Sequence, residues 1–324
     1  VLVIYNGNGL QVFYNENREP IEVPPHFIVD IQPSPPSIPN VHRIDKITPY
    51  LKPNLTYVIV RSYALGDILM LIPVMREFKD KYSGSKVVLV TSGRFMTSII
   101  LRELSGDVFN AISYRIYTNP KHYDVGIILN DILERDHQDP KYSVKHRVDI
   151  YREFLGLKSG ELPVWNEEEI SPGKHGVVFC SAGNTRKKAL EDETASYIEK
   201  KLVSRFNKVC HINHNQHIPE QELLDKIRQA RAVITMDTAP LWIAHFYRTP
   251  VVFLSGPTRG KERLCYHPLF PDGVSEVSMS EMVGCTPCFE KADTCHMNID
   301  CMRVPKAKVW EAVNSALEKV MWKS

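Results

Sequence analysis

Residues 58–79 read VIVRSYALGDILMLIPVMREFK, and this stretch decides the fold. An unalternating apolar run ends in Arg61, a short turn carries Gly66 and Asp67, and a second apolar stretch follows with helical spacing. A continuous Val/Ile run suits a strand buried on both faces of a parallel sheet. A carboxylate just after the turn suits a helix start, whose unpaired N–H groups and dipole favour negative charge by about 0.3–1 kcal/mol. Gly66 permits a sharp turn or a close backbone approach to a ligand. Pro73 requires either tolerance in the first helical turn or a kink. The unit is strand–turn–helix, and Asp67 is read either as an ordinary helix-start carboxylate or as a group at the rim of a ligand crevice.

The same alternation extends in both directions. KVVLVTS, FMTSIILRELSG, YDVGIIL and HRVDIYREFLGL continue a first α/β domain, and KSGELPVWNEEEISPGK reads as a polar linker. HGVVFCSAG, KVCHIN, RAVITMD and TPVVFLSG read as strands of a second set, separated by the helical segments DETASYIEKKLVSRF, PEQELLDKIRQA and APLWIAHFYR. Before all of this, VLVIYNGNGLQVFYN suggests two strands paired around Asn-Gly-Asn-Gly, HFIVDI a third strand, and QPSPPSIPN a stiff linker. The expected organisation is a β-rich appendage over 1–52, a Rossmann-like domain over 53–165 and a second over 166–324. The fold class is α/β, with two doubly wound domains facing a cleft.

Composition sets limits on this reading. The 324 residues, 43% hydrophobic and 24% charged, suffice for two cores, and a formal charge of +2 gives no argument for nucleic acid. Arg61 and Asp67 interrupt the most apolar region, so no membrane span is expected, and residues 1–20 show no secretory pattern. The cytoplasm is the expected compartment, with peripheral membrane association and oligomer formation left open.

The second chemical motif is ITMDTAPLWIAHFYRTPVVFLSGPT, residues 234–258. Asp237 and Thr238 end a strand, and Ala239 and Pro240 open a helix with proline at its preferred place. Unpaired amides there, with the Thr238 hydroxyl, suit a diphosphate, although an ordinary Asp/Thr cap reads the same way.

Together, ALGDILMLIPVMREFK and MDTAPLWIAHFYRTPVVFLSGPT resemble glycosyltransferase family 9, the lipopolysaccharide heptosyltransferases, over residues 56–320. The resemblance implies a GT-B fold and inverting, metal-independent transfer of a sugar from a nucleotide diphosphate sugar to a hydroxyl of a glycan or protein. It makes Asp67 the general base, and it makes Thr238 and the amides near Ala239 and Pro240 the diphosphate site. Asp237 becomes a donor-sugar contact or loop brace. FCSAGNTRKKAL is similar to the family's phosphate-facing loop, with the cation at Lys187 or Lys188. Ala239 stands where the family has glycine and Trp242 where it has histidine; His245, one turn on, is a substitute for that histidine or a core residue. Glu222 is the candidate ribose-binding acid. The alternative function is a catalytically silent nucleotide- or partner-binding module.

Cys285, Cys288, Cys295 and Cys301 form C-x2-C-x6-C-x5-C on one polar segment, a spacing suited to a structural zinc or iron ion or to reduced buried thiols. Autotransporter heptosyltransferases, a branch similar to this arrangement, have an iron-binding four-cysteine finger and an N-terminal β region. His211, His214 and His217 lie on a strand end and loop where side chains diverge, a poor metal set.

Overall fold

The computed structural model describes residues 2–5, 11–14, 20–23, 27–30, 41–43, 46–62, 64–114, 122–130, 132, 145–160, 176–183, 188–213, 218–258, 260, 263–264, 273–284 and 300–321. The chain divides into two compact units, Val1–Glu161 and Leu162–Ser324.

In the first unit the strands are β1 (Leu2–Tyr5), β2 (Gln11–Tyr14), β3 (Pro20–Val23), β4 (Phe27–Asp30), β5 (Val41–Arg43), β6 (Thr56–Val60), β7 (Lys86–Val90), β8 (Ala111–Ser113) and β9 (Val125–Ile128). Seven of them form one sheet in the order β5-β1-β4-β9-β6-β7-β8. Strands β4, β9, β6, β7 and β8 run parallel, and β1 and β5 add antiparallel pairs at one edge.

This arrangement differs from an appended β region in two ways. Strands β1, β4 and β5 extend the main sheet, and β1 pairs Leu2↔Asp30 with β4 rather than with β2. The local hairpin is β2–β3, registered Gln11↔Val23. An isolated two-stranded hairpin is marginal in water, whereas a strand added to a sheet with a core is supported. The join is tight: Phe27 lies opposite Gly126, is fully buried, and meets Tyr123 edge-on at 5.3 Å between ring centres. A Cβ on Gly126 would stand 2.1 Å from the Phe27 ring, so glycine makes room for the aromatic.

The helix Leu65–Lys81 follows β6 and continues through Pro73. Ile68 to Met75 and Phe78 are all buried, because this helix meets the sheet, the helix Ile99–Ser105 and the helix Arg147–Phe154. A helix apolar nearly all round is buried on most sides.

The second unit holds β10 (Val177–Cys180), β11 (Val209–Ile212), β12 (Ala232–Thr235), β13 (Val251–Ser255) and β14 (Val274–Ser278), all parallel, in the order β11-β10-β12-β13-β14. One face packs Val177, Phe179, Ile234 and Leu254 against Ile198 and Leu202 of the helix Asp192–Arg205 and Val313 and Leu317 of the helix Lys306–Met321. Alternate residues of the same strands, including Val178, Val233 and Phe253, are buried too, so both faces are covered. Each unit is thus an α/β layer structure on parallel strands, as the alternating runs of the sequence require. Among the described residues, no helix is long and apolar enough to cross a membrane.

Candidate functional site

In an open parallel sheet, ligands bind at the carboxyl ends of the strands where the strand order reverses. The first unit reverses between β6 and β9, and the second between β10 and β12. Both reversals carry an aspartate held by two cations.

At the first, Arg61 follows β6 directly and is fully buried. Its Nη1 donates to the carbonyls of Leu129, at 3.1 Å, and Asn130, which follow β9. The Ser62 amide donates to Asn130 Oδ1 at 2.8 Å, so two polar ties close the crevice floor. Arg61 Nη2 donates to Asp67 Oδ2 at 2.6 Å, and Arg147 Nη1 donates to Asp67 Oδ1 at 3.2 Å. Arg147 opens the helix Arg147–Phe154, and that helix is fixed by Arg152, which donates from Nε to Glu77 Oε2 at 2.8 Å, from Nη2 to Glu77 Oε1, and from Nη1 to Asp149 Oδ1 at 3.0 Å. The Asp67 side chain retains 14% exposure, which leaves it reachable from solvent. Gly66 lies inside the first helical turn; the left-handed backbone of this turn belongs instead to Ala64, with φ 50° and ψ 119°. The chain reverses at the cap, one step before the helix begins, so the strain falls on alanine.

At the second reversal, Asp237 Oδ2 lies 3.3 Å from Lys188 Nζ and accepts from Arg263 Nε at 3.0 Å. Arg263 is fully buried, and its carbonyl accepts from His245 Nε2 at 3.3 Å. The loop bearing it is braced by Glu276, whose Oε1 accepts from the Gly260 amide at 2.8 Å and from Ser255 Oγ at 2.5 Å. Thr238 is the extended cap of the helix Ala239–Phe246, with its hydroxyl 3.2 Å from Thr235 Oγ1. Ala239 and Pro240 form the first turn, and Leu241 to Phe246 are buried, so the core anchors the far end of this helix while its N-terminus meets the reversal.

Of the residues singled out from sequence, Asp67, Gly66, Lys188, Asp237, Thr238, Ala239 and Pro240 stand at these two reversals. Lys187 lies outside the described residues. Asp237 is engaged by two cations, Lys188 and Arg263. Trp242 is buried edge-on against His245, and Glu222 pairs with Lys226 at 3.3 Å. His211 is bonded within the second unit to Ser181 and Glu199; His214 and His217 lie outside the described residues.

The four-cysteine expectation divides. Cys285, Cys288 and Cys295 lie outside the described residues, while Cys301 is buried in the second core beside Met302 and Val304. Among the described residues, no group of three or more His, Cys, Asp or Glu side chains gathers as a metal site.

Arg61, Arg147 and Arg263 escaped the sequence reading. Arg61 did leave a signal, a charge closing a strand otherwise buried. Arg263 left none, because Arg259, Lys261 and Arg263 crowd one short stretch of sequence and nothing in their order marks it.

No protein-family model and no curated protein matches the sequence. Solved structures do. The iron-containing dodecameric glycosyltransferase TibC from enterotoxigenic E. coli H10407 is similar over 99% of this chain and 95% of its own, at TM-score 0.64 and 15% identity. TibC, a heptosyltransferase, is also described in complex with ADP-D-β-D-heptose. The ADP-heptose lipopolysaccharide heptosyltransferase II of E. coli is similar over 81% of this chain and 98% of its own, at TM-score 0.58 and 12% identity. A glycosyl transferase family 9 protein from Veillonella parvula is similar over 82% and 98%, at TM-score 0.50 and 13% identity. The class defined is an α/β fold of glycosyltransferase type. Within that class, the fold is similar to that of family 9 glycosyltransferases and heptosyltransferases.

Proposed function

We propose that the protein is an inverting glycosyltransferase that moves a sugar, heptose-like by its fold, from a nucleotide diphosphate sugar to a hydroxyl of a glycan or protein acceptor. The observation that carries this reading is the pair of strand-order reversals, one presenting a fixed carboxylate and the other two cations beside a helix N-terminus.

Asp67 is the base. A carboxylate offers about four lone-pair sites, and the guanidiniums of Arg61 and Arg147 contact one oxygen each, which fixes the carboxylate plane for the acceptor proton. The acceptor oxygen forms its bond to the anomeric carbon as the bond from that carbon to the diphosphate oxygen breaks. The electron pair leaves with the diphosphate, and the acceptor proton goes to Asp67. At the second reversal, Lys188 and Arg263 outweigh the single charge of Asp237, and with the first helical amides they stabilise the departing anion without a metal ion. The structure of TibC in complex with ADP-D-β-D-heptose supports an adenosine diphosphate sugar as the first donor to try.

The test is thermal unfolding against a panel of nucleoside diphosphates, followed by transfer assays with the matching sugar conjugates. A ligand at 100 times its dissociation constant stabilises by about 2.7 kcal/mol. A selective shift and turnover are expected; silence across the panel from folded protein overturns the enzyme reading in favour of a binding module.

A further inference from the structure

Beneath the second reversal lies a hydrogen-bonded array that the reaction does not use directly. Ser181 Oγ and His211 Nε2 are 2.7 Å apart, and His211 Nδ1 stands 2.9 Å from Glu199 Oε2. The three residues come from the end of β10, from β11 and from the helix Asp192–Arg205. His211 also stacks on Phe179, its neighbour across the β10–β11 register, with ring centres 4.7 Å apart and planes 16° apart. Hydroxyl, imidazole and carboxylate in this order activate nucleophilic serines elsewhere. Here Ser181 is buried, only 4% exposed, which removes it from attack on an external substrate.

What Ser181 does reach is the neck of the loop that carries Lys188. Its carbonyl accepts from the Leu190 amide at 3.0 Å, so the loop leaves and rejoins the strand at Ser181. Its amide is held by the Ile212 carbonyl at 3.1 Å. Within the neck, Gly183 lies so close to Lys188 that a Cβ would stand 2.1 Å from the Lys188 carbonyl oxygen. The Lys188 ammonium then meets Asp237 at 3.3 Å. A connected path therefore runs from Glu199 through His211 and Ser181 to the loop neck and its cation.

We propose that His211 is a positioning residue for the diphosphate site: by fixing Ser181 against β11 and Glu199, it holds the loop neck in the geometry that presents Lys188. This inference rests on the donor-site reading given above, and it adds a residue that acts through the loop neck.

The informative substitution is His211→Phe, which keeps an aromatic ring on Phe179 and removes both polar contacts. ADP affinity is expected to fall about tenfold, with the unfolding temperature of the ligand-free protein little changed. Combined with Lys188→Ala, the loss is expected to be less than the product of the single losses, because both act through one cation. Equal ADP affinity in folded His211→Phe, or multiplicative losses in the double variant, overturns the proposal. Hydrogen exchange at the Leu190 amide reads the same coupling without any nucleotide: faster exchange is expected in His211→Phe and in the milder Ser181→Ala, and unchanged protection in both overturns it. Wild-type protein that ignores ADP would count against the donor site itself, and the exchange measurement would still decide the role of His211.

Discussion

The two strand-order reversals hold the same charges in opposite arrangements. At the first, Arg61 and Arg147 take one oxygen of Asp67 each; at the second, Lys188 and Arg263 converge on a single oxygen of Asp237. The first arrangement orients a carboxylate, since two fixed guanidiniums on separate oxygens define its plane. The second gathers cations, since one carboxylate brings two of them to the start of a helix whose dipole already favours an anion. An oriented carboxylate suits proton removal, and gathered cations suit an anionic leaving group. Exposure agrees: the Asp67 side chain is 14% exposed and that of Asp237 only 8%.

The sharpest way to break this division is Asp67→Asn, which keeps the shape and removes the carboxylate proposed as the base. General-base removal typically costs about 10²–10⁴ in rate, so transfer is expected to fall by that order while nucleotide binding is unchanged. Parallel loss of turnover and binding would show that both reversals serve one ligand and that the division is false.

Arg61→Met asks whether the first arrangement is also structural. It strips a buried ion pair of one partner and leaves the Leu129 and Asn130 carbonyls without their donor. Breaking such a pair costs about 3 kcal/mol or more, which denaturant unfolding would read directly. At the second reversal, Lys188→Ala is expected to weaken nucleoside diphosphate binding about thirtyfold, near 2 kcal/mol for a charge-assisted contact, with little change in fold stability. Titration calorimetry reads the binding loss and denaturant unfolding the stability: a stability effect at Lys188 as large as that at Arg61 would erase the contrast.

Much of this was legible in the chain. The apolar runs before Arg61 and Asp237 gave the strands, and the residues just after them gave the helix starts, because a parallel strand buried on both faces cannot disguise itself as anything polar. The cations were less legible. Lys188, which meets Asp237, lies on a different strand-to-helix connection far from it in sequence. Arg147 lies 80 residues from Asp67, a distance no local pattern spans. The early strands misled for a different reason. Asn-Gly-Asn-Gly is a strong local turn signal, yet β1 gains more by joining β4 in a sheet that has a core than by pairing with β2.

That last point separates the two larger sheets, since among the described residues the first alone of them carries antiparallel strands at its edge, and Gly126→Ala tests how firmly they are joined. The new Cβ would stand 2.1–2.3 Å from three atoms of the Phe27 ring, closer than any real contact, so the ring or β4 must move. Overfilling a packed site typically costs about 1–3 kcal/mol, and the lower part of that range is expected because β4 lies toward the edge of the sheet, with only β1 and β5 beyond it. Exchange should accelerate in β1, β4 and β5 and leave the amides of β6 and β7 protected, with Asp67 unaffected in its contacts. If β6 loosens with β4, the edge strands are part of the same cooperative core as the reversal, and the likeness between the two sheets ends at the strand order.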